Sequence, residues 1–339
     1  MNACILATRE TGAGPRVENV HPLHVAVVTP DGRLLATAGD PTRLVFARSA
    51  AKPLQAMALA RHPGADLSSV ELALACASHA GGAWATEPIA AWLGRLGLGS
   101  DDLGCGSHPP SDRAALEVLS VRGDAPSPLH HNCSGKHCGM LALTRLLDAD
   151  PRHYLKLAHP VQKAVRAEVE RLASPTEVLW AVDGCSAPTP AMPLSALAQA
   201  YAQFASAAQA KDVADTEIVA RQRIWHAMRD HAELVAGPGL LDTAVMRAVL
   251  GVLVKRGADG VEGGALLSRA HGPLGFALKV EDGSNEARDV ALMALLELLG
   301  ALNPAARHAL APFTRPPRRN ARGLVVGHLT PQLELTWSP

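Results

Sequence analysis

Strand-like segments at both ends of this chain bracket a long stretch of helical periodicity, and that placement narrows the possible folds more than any other feature. Residues 23–29 (LHVAVVT) form a short apolar run, residues 30–32 (PDG) are turn chemistry, and residues 33–37 (RLLAT) read as the returning strand of a hairpin. A third short strand at 44–47 runs into Arg48. Near the other end, residues 274–280 (LGFALKV) alternate into a turn at 281–283, ahead of an amphipathic helix at 285–299. Residues 322–329 and 333–337 close the chain as strands. Between the two ends, helical patterns occupy 54–60, 68–78, 139–147, 160–172, 193–207 and 217–231. This order predicts an α+β fold in a single domain spanning 1–339. A central antiparallel sheet is built from strands within 17–48 and 273–337, and a mostly helical region, 54–260, is inserted between them.

A chain of 339 residues can bury a substantial core. With 32 basic against 32 acidic side chains there is no basic surplus, which argues against nucleic acid as the main partner. The longest apolar segment, 290–302, contains Glu297 and is too short to span a bilayer. No secretory signal pattern is evident at the N-terminus, and six cysteines are too few for a disulfide scaffold. The expected compartment is therefore cytoplasmic, with reduced thiols.

Several clusters could carry chemistry. In Ser49-Ala50-Ala51-Lys52, a hydroxyl and an amine three residues apart share one helical face, so a neutral lysine could take the serine proton. Pro53 places this pattern in a first helical turn, and the same four residues would equally serve as an N-cap serine followed by a solvated lysine. Residues 131–140 (HNCSGKHCGM) crowd two Cys, two His, a Lys and an Asn ahead of a helix, without the C-x-x-C spacing of a structural zinc site. Residues 183–193 (DGCSAPTPAMP) form a rigid proline-rich loop that presents Asp183 and Cys185. Ser78 and His79, in CASH, close a helical segment, and neighbours there point in different directions. Lys279 stands in an alternating apolar strand, where burial of its face would lower the affinity of its amine for a proton.

Taken in chain order, VEN at 17–19, ARSAAKP, CASH, CGSHPP, HNCSGKHCGM, DGCSAPTPAMPL, ELVAGPG, LKVEDG and RGLVVG resemble one family, the L-asparaginases of the Rhizobium etli type. The likeness is collinear over nearly the whole chain. It implies a fold like that of serine β-lactamases and glutaminases, a homodimer, and catalysis by two Ser-Lys pairs, Ser49 with Lys52 and Ser78 with Lys279. It also implies Zn²⁺ held by Cys133, Lys136 and Cys185, with Arg48, His79, His137 and Asp183 lining the substrate site. The implied reaction hydrolyses the side-chain amide of L-asparagine to L-aspartate and ammonia. Ser49 leads as nucleophile and Ser78 is the alternative. Two departures stand out: Gly82 occupies the region where the family usually carries a Glu, and Cys138 is an additional thiol.

Two rival readings follow from the same residues. S-x-x-K also marks penicillin-interacting serine hydrolases, but no S-D-N occurs here and LKVEDG stands where a C-terminal K-T-G would be sought. The Cys133 and Cys185 pair alone would suit a non-catalytic, metal-dependent amino-acid-binding protein.

Overall fold

The computed structural model describes residues 3–211 and 213–338. The chain opens with strands β1 (Ala3–Arg9), β2 (Arg16–Val28), β3 (Leu34–Ala38) and β4 (Leu44–Phe46). After a 3₁₀ turn at Arg48–Ala51 come helices α1 (Lys52–Ala60), α2 (Ser69–Ala75), α3 (Ala83–Arg95), α4 (Arg113–Arg122), α5 (Ser134–Leu146) and α6 (Pro160–Leu172). Strands β5 (Leu179–Val182) and β6 (Pro188–Pro193) precede α7 (Leu194–Gln209), α8 (Thr216–Asp230), α9 (Ala232–Val235) and α10 (Leu241–Ala248). The chain ends with β7 (Val252–Arg256), β8 (Val261–Ser268), β9 (Gly272–Val280), α11 (Asn285–Leu298), α12 (Pro304–Thr314), β10 (Pro317–Arg319), β11 (Val325–Leu333) and β12 (Thr336–Trp337). Among the described residues no helix is long and apolar enough to cross a membrane.

The α+β class expected from the sequence is what the structure shows, organised as two compact units. The first takes Met1–Ala50, Met192–Gln209 and Ala244–Pro339. Its sheet runs β10-β11-β1-β2-β9-β8-β7, with β3 on β2 and β12 on β3, and the ladders between these strands are antiparallel. The hairpin read at 23–37 is the β2–β3 pair, in which Val25 faces Ala38. Small residues let α7 lie close on one face: a Cβ on Gly275 would come within 1.8 Å of the Ala198 carbonyl oxygen. Helix α11 covers the opposite face, where its Arg288 meets Glu262 of β8.

Besides β5 and β6, three strands of the large sheet depart from the reading above. β1 lies before residue 17, while β7 and β8 lie at 252–268, so the C-terminal sheet begins well before residue 273 and inside what was expected to be mostly helical. Val252, Leu253, Val254 and Lys255 are all buried. A strand covered on both faces shows no apolar–polar alternation, the signal on which a strand assignment rests.

The second unit takes Ala51–Ala191 and Ala210–Thr243. Every residue of α1 is buried, and α1 packs against α5, α6 and α8. α2 starts at a capping box of Ser68 and Glu71. Gly135 and Gly139, one turn apart on α5, bring that helix against α2, where a Cβ on Gly135 would stand 2.3 Å from the Leu74 carbonyl oxygen. This close approach sets the start of α5 beside the residues that follow α2.

Candidate functional site

Lys52 opens α1, one residue before the proline that favours a helix start. Its aliphatic stem and amine are fully enclosed. Nζ meets three oxygens: the Ala77 carbonyl, the Asn132 carbonyl at 3.3 Å and Ser78 Oγ at 2.9 Å. Helix α2 stops at Ala75, so Ser78 and His79 sit on the irregular segment beyond it, with Ser78 N donating to the Val235 carbonyl at 2.7 Å. Burial pushes the Lys52 amine below its ordinary range, the Cys133 charge opposes that shift, and the neighbouring Lys136 adds to it. Two carbonyls engage two N–H bonds. The amine also hydrogen-bonds the Cys133 sulfur and donates to Ser78 Oγ, so once it has given up a proton it stands within reach of that hydroxyl's proton.

The thiols stand beside this pair. Cys133 caps α5, its backbone N–H donating to His131 Nδ1 at 3.0 Å, and Cys185 sits in the β5–β6 turn closed by Asp183 N to Ala187 O at 2.9 Å. Lys136 Nζ lies 3.1 Å from Cys185 Sγ. A hydrogen bond from Cys185 holds the Cys133 thiol well below its usual range, despite burial, while the same bond and burial push Cys185 up. Of the two thiols, Cys133 is the one that gives up its proton more readily. Burial acts to lower Lys136, but the attraction of Cys185 and Cys133 outweighs it and the ammonium form is favoured. Two sulfurs suit Zn²⁺, whereas a lysine amine is an unusual third donor, and Lys136 and Cys185 would both have to lose protons that their surroundings favour. Among the described residues no group of three or more His, Cys, Asp or Glu side chains is placed to hold a metal ion.

His79 does not act with its neighbour Ser78. Its Nδ1 accepts from Gly81 N at 3.1 Å, and its Nε2 lies 2.9 Å from Ser134 Oγ, which itself donates to the Leu129 carbonyl. Both ring nitrogens are committed to a neutral imidazole, and burial, followed by the charge on Lys52, lowers its proton affinity to a pKa of about 3. His137 is similar: Gly104 N donates to Tyr154 Oη at 2.8 Å, so the phenol donates onward to His137 Nδ1 at 2.6 Å. That leaves the hydrogen on Nε2, which is buried without a hydrogen-bond partner among the described residues. Asp183 is half-buried, its Oδ1 accepting from Gly184 N at 2.9 Å and its Oδ2 3.9 Å from Cys185 Sγ. Cys138, on α5, is fully buried, and burial raises its thiol. A side chain at position 82 would collide with Trp84, whose Nε1 lies 2.3 Å from the position a Cβ would take. The indole fills the space that a carboxylate there would need.

The remaining expected residues belong to the first unit. Arg48 pairs with Asp259, a residue that the sequence reading does not single out. Ser49 is half-buried and its hydroxyl makes no hydrogen bond among the described residues. The resemblance pairs Ser78 with Lys279; in the structure Ser78 bonds Lys52, and Lys279 Nζ donates to the carbonyls of Asp259 at 2.7 Å and Val280 at 2.5 Å. Burial lowers the Lys279 amine, with the charges of Glu281 and Asp259 opposing.

A second lysine of this unit, Lys255, is fully buried on β7 and donates to the Arg256 carbonyl at 2.8 Å. Lys255 and Gly257 share a face, being two apart in extended chain. On that face Gly257 meets the turn that carries Ser49: a Cβ there would lie 2.8 Å from the Ala47 carbonyl oxygen and 3.4 Å from Ala50 N. Gly263, opposite Lys255 in register, meets the ring of Tyr201, whose hydroxyl donates to the Ala50 carbonyl at 2.6 Å. The sequence signal for Lys255 was the K-x-G at 255–257, hidden by the absence of a recognised strand.

Residues 10–331 match the family described as L-asparaginase II. Among curated proteins, none matches the chain. Similar solved structures include a probable glutaminase from Bacillus subtilis complexed with 6-diazo-5-oxo-L-norleucine, with 12% identity, a TM-score of 0.40, and 82% of this chain and 84% of that one covered. A β-lactamase from Burkholderia ambifaria shows 13% identity and a TM-score of 0.41 over 83% and 94% of the two chains. Another, from Desulfarculus baarsii DSM 2075, shows 18% identity and a TM-score of 0.40 over 83% and 93%.

Proposed function

We propose, on the premise that this chain belongs to the L-asparaginase II family and is an amidohydrolase, that it hydrolyses the side-chain amide of L-asparagine through serine hydroxyls activated by buried lysine amines. The observation that carries this reading is Lys52 Nζ, enclosed, held by two backbone carbonyls and 2.9 Å from Ser78 Oγ. An amine so placed can accept a hydroxyl proton and return it.

Ser49 is the nucleophile in this proposal, because the residue is half-buried whereas Ser78 is enclosed. Its Oγ attacks the carboxamide carbon and its proton passes to a lysine amine. The tetrahedral intermediate then collapses, the C–N bond breaks, and ammonia leaves with the proton that the amine returns. Water, deprotonated by the same amine, cleaves the resulting ester and releases aspartate. Lys52 follows Ser49 by three residues in the sequence, and Ser78 is its bonded hydroxyl. We assign the second amine to Lys255 instead of Lys279, since Lys255 lies on the face of β7 that supports the Ser49 turn. Arg48 takes the α-carboxylate of the substrate, and Asp183 its α-ammonium group.

Zn²⁺ would be held by Cys133, Cys185 and Lys136, where it would supply Lewis acidity. The Rhizobium etli-type subgroup, the homodimer and the cytoplasmic location belong to the same proposal, supported by the order of the motifs. Elemental analysis tests the metal assignment: zinc is expected in the wild type and lost in Cys185→Ser, and an unchanged content contradicts it. Ammonia release from asparagine and glutamine tests the activity in the wild type, Ser49→Ala and Ser78→Ala. Turnover of asparagine that falls in both variants is expected; wild-type rates in both would overturn the mechanism.

A further inference from the structure

We infer that Asp259 is a positioning residue that sets the Arg48 guanidinium for the substrate's α-carboxylate, and that Lys279 serves this clasp by fixing Asp259 instead of acting on the amide. The inference rests on the reading above that Arg48 binds that carboxylate.

Arg48 and Asp259 are two of the few non-glycine residues with left-handed backbone, at φ of 50° and 57°, and their side chains form an ion pair with each other. Such backbone is costly for a residue with a Cβ and persists where the surroundings impose it, often at functional sites. Stability does not explain the pair. The Asp259 side chain is 66% exposed and that of Arg48 28%, and ion pairs so open to water contribute little to a fold.

The surroundings do impose it. Asp259 sits at the tip of the β7–β8 hairpin, which Gly257 N closes on the Val261 carbonyl at 2.8 Å. Arg288 of α11 donates to the Gly257 carbonyl at 3.2 Å, and Val280 N to the Gly260 carbonyl at 2.9 Å. Lys279 Nζ then takes the carbonyl of Asp259 itself at 2.7 Å. The hairpin tip is thus tied to α11 and β9, and only its carboxylate reaches outward, to Arg48. A guanidinium is a flat fork of five donors, so a carboxylate fixed on one edge settles the plane it presents to a second carboxylate. Arg48 directly precedes Ser49, so the clasp holds an anion-binding group beside the hydroxyl that attacks the amide.

Steady-state kinetics on two amides test this: L-asparagine, and 3-aminopropanamide, which is asparagine without its α-carboxylate. The second amide is read both as substrate and as competitive inhibitor. Asp259→Asn is expected to raise KM for asparagine by about tenfold with kcat retained, and to leave 3-aminopropanamide unchanged. Asp259→Glu should recover most of the loss, and Lys279→Met should follow Asp259→Asn in direction. Arg48→Gln should erase the preference for asparagine. Unchanged KM in Asp259→Asn, or an equal loss on both amides, would overturn the role of Asp259. A collapse of kcat in Lys279→Met would overturn that of Lys279. If Arg48→Gln keeps the preference, the carboxylate reading falls and the clasp with it. If Arg48→Gln loses it while Asp259→Asn does not, the clasp alone falls.

Discussion

Lys52, in the second unit, and Lys279, in the first, each donate to two backbone carbonyls, yet what else surrounds each amine differs sharply. The Lys52 amine is buried, a serine hydroxyl and the Cys133 sulfur are among its contacts, and another cation stands close by. Lys279 is half-buried, and burial lowers its amine as well, but the charges of Glu281, Asp259 and Asp282 oppose that shift while Arg43 adds to it. One setting places the amine beside a serine hydroxyl, while the other ties it to the carbonyls of a turn. A lysine in a strand or at a helix start is thus not defined by its element. Its solvent exposure and the partner on its last valence decide what it can do.

The largest effect should come from removing the first amine. Lys52→Met is expected to lower kcat for asparagine by about 10³-fold, in the range of lost acid–base catalysis, whereas Lys279→Met keeps kcat. Ammonia release on folded variants measures both, and equal losses would erase the contrast. Ser78→Ala follows, with about a 10²-fold fall in kcat; a change confined to KM would place Ser78 in binding instead.

The next effects are on stability and sharpen the claim that the second unit is closely packed around its polar groups. Gly135→Ala should cost about 1–3 kcal/mol, because its Cβ would strike the backbone of Leu74 and not a flexible side-chain end. Calorimetry would detect the lower melting temperature. In mildly acidic conditions His79 gives the smallest effect. The folded protein keeps it neutral down to a pKa of about 3, against an ordinary 6.5. As pH falls below 6.5 the unfolded chain takes up a proton that the folded one refuses, so stability declines progressively until about pH 3. By pH 5.5 the loss should reach about 1.4 kcal/mol. Denaturant melts against pH, compared with His79→Gln, measure it, and identical acid slopes in the two proteins would refute the neutral, enclosed imidazole.

Much of this arrangement was legible in the sequence, unevenly. The hairpin at 23–37 and the helices at 160–172 and 217–231 carry their own periodicity and turn residues, and they appear close to where the pattern puts them. The S-x-x-K at 49–52 and the thiols at 133 and 185 were visible as residue types. That Cys133, Lys136 and Cys185 gather depends on the β5–β6 turn and on two glycines that let α5 approach α2, neither of which has a spacing rule. β7 and β8 escaped because both faces of each strand are covered. With them went Lys255 and the hairpin tip at Asp259. Lys279 was conspicuous for the opposite reason, since an alternating strand displays its lysine clearly, whatever that lysine does.

The proton affinity of the Lys52 amine tests the account at its centre. Lysines labelled at ¹³Cε can be titrated by NMR, with the Lys52 resonance assigned by its disappearance in Lys52→Arg. The account predicts a midpoint below the ordinary 10.5, and one that moves when Ser78→Ala removes the hydroxyl partner. A midpoint at or above 10.5, unmoved by Ser78→Ala, would contradict it.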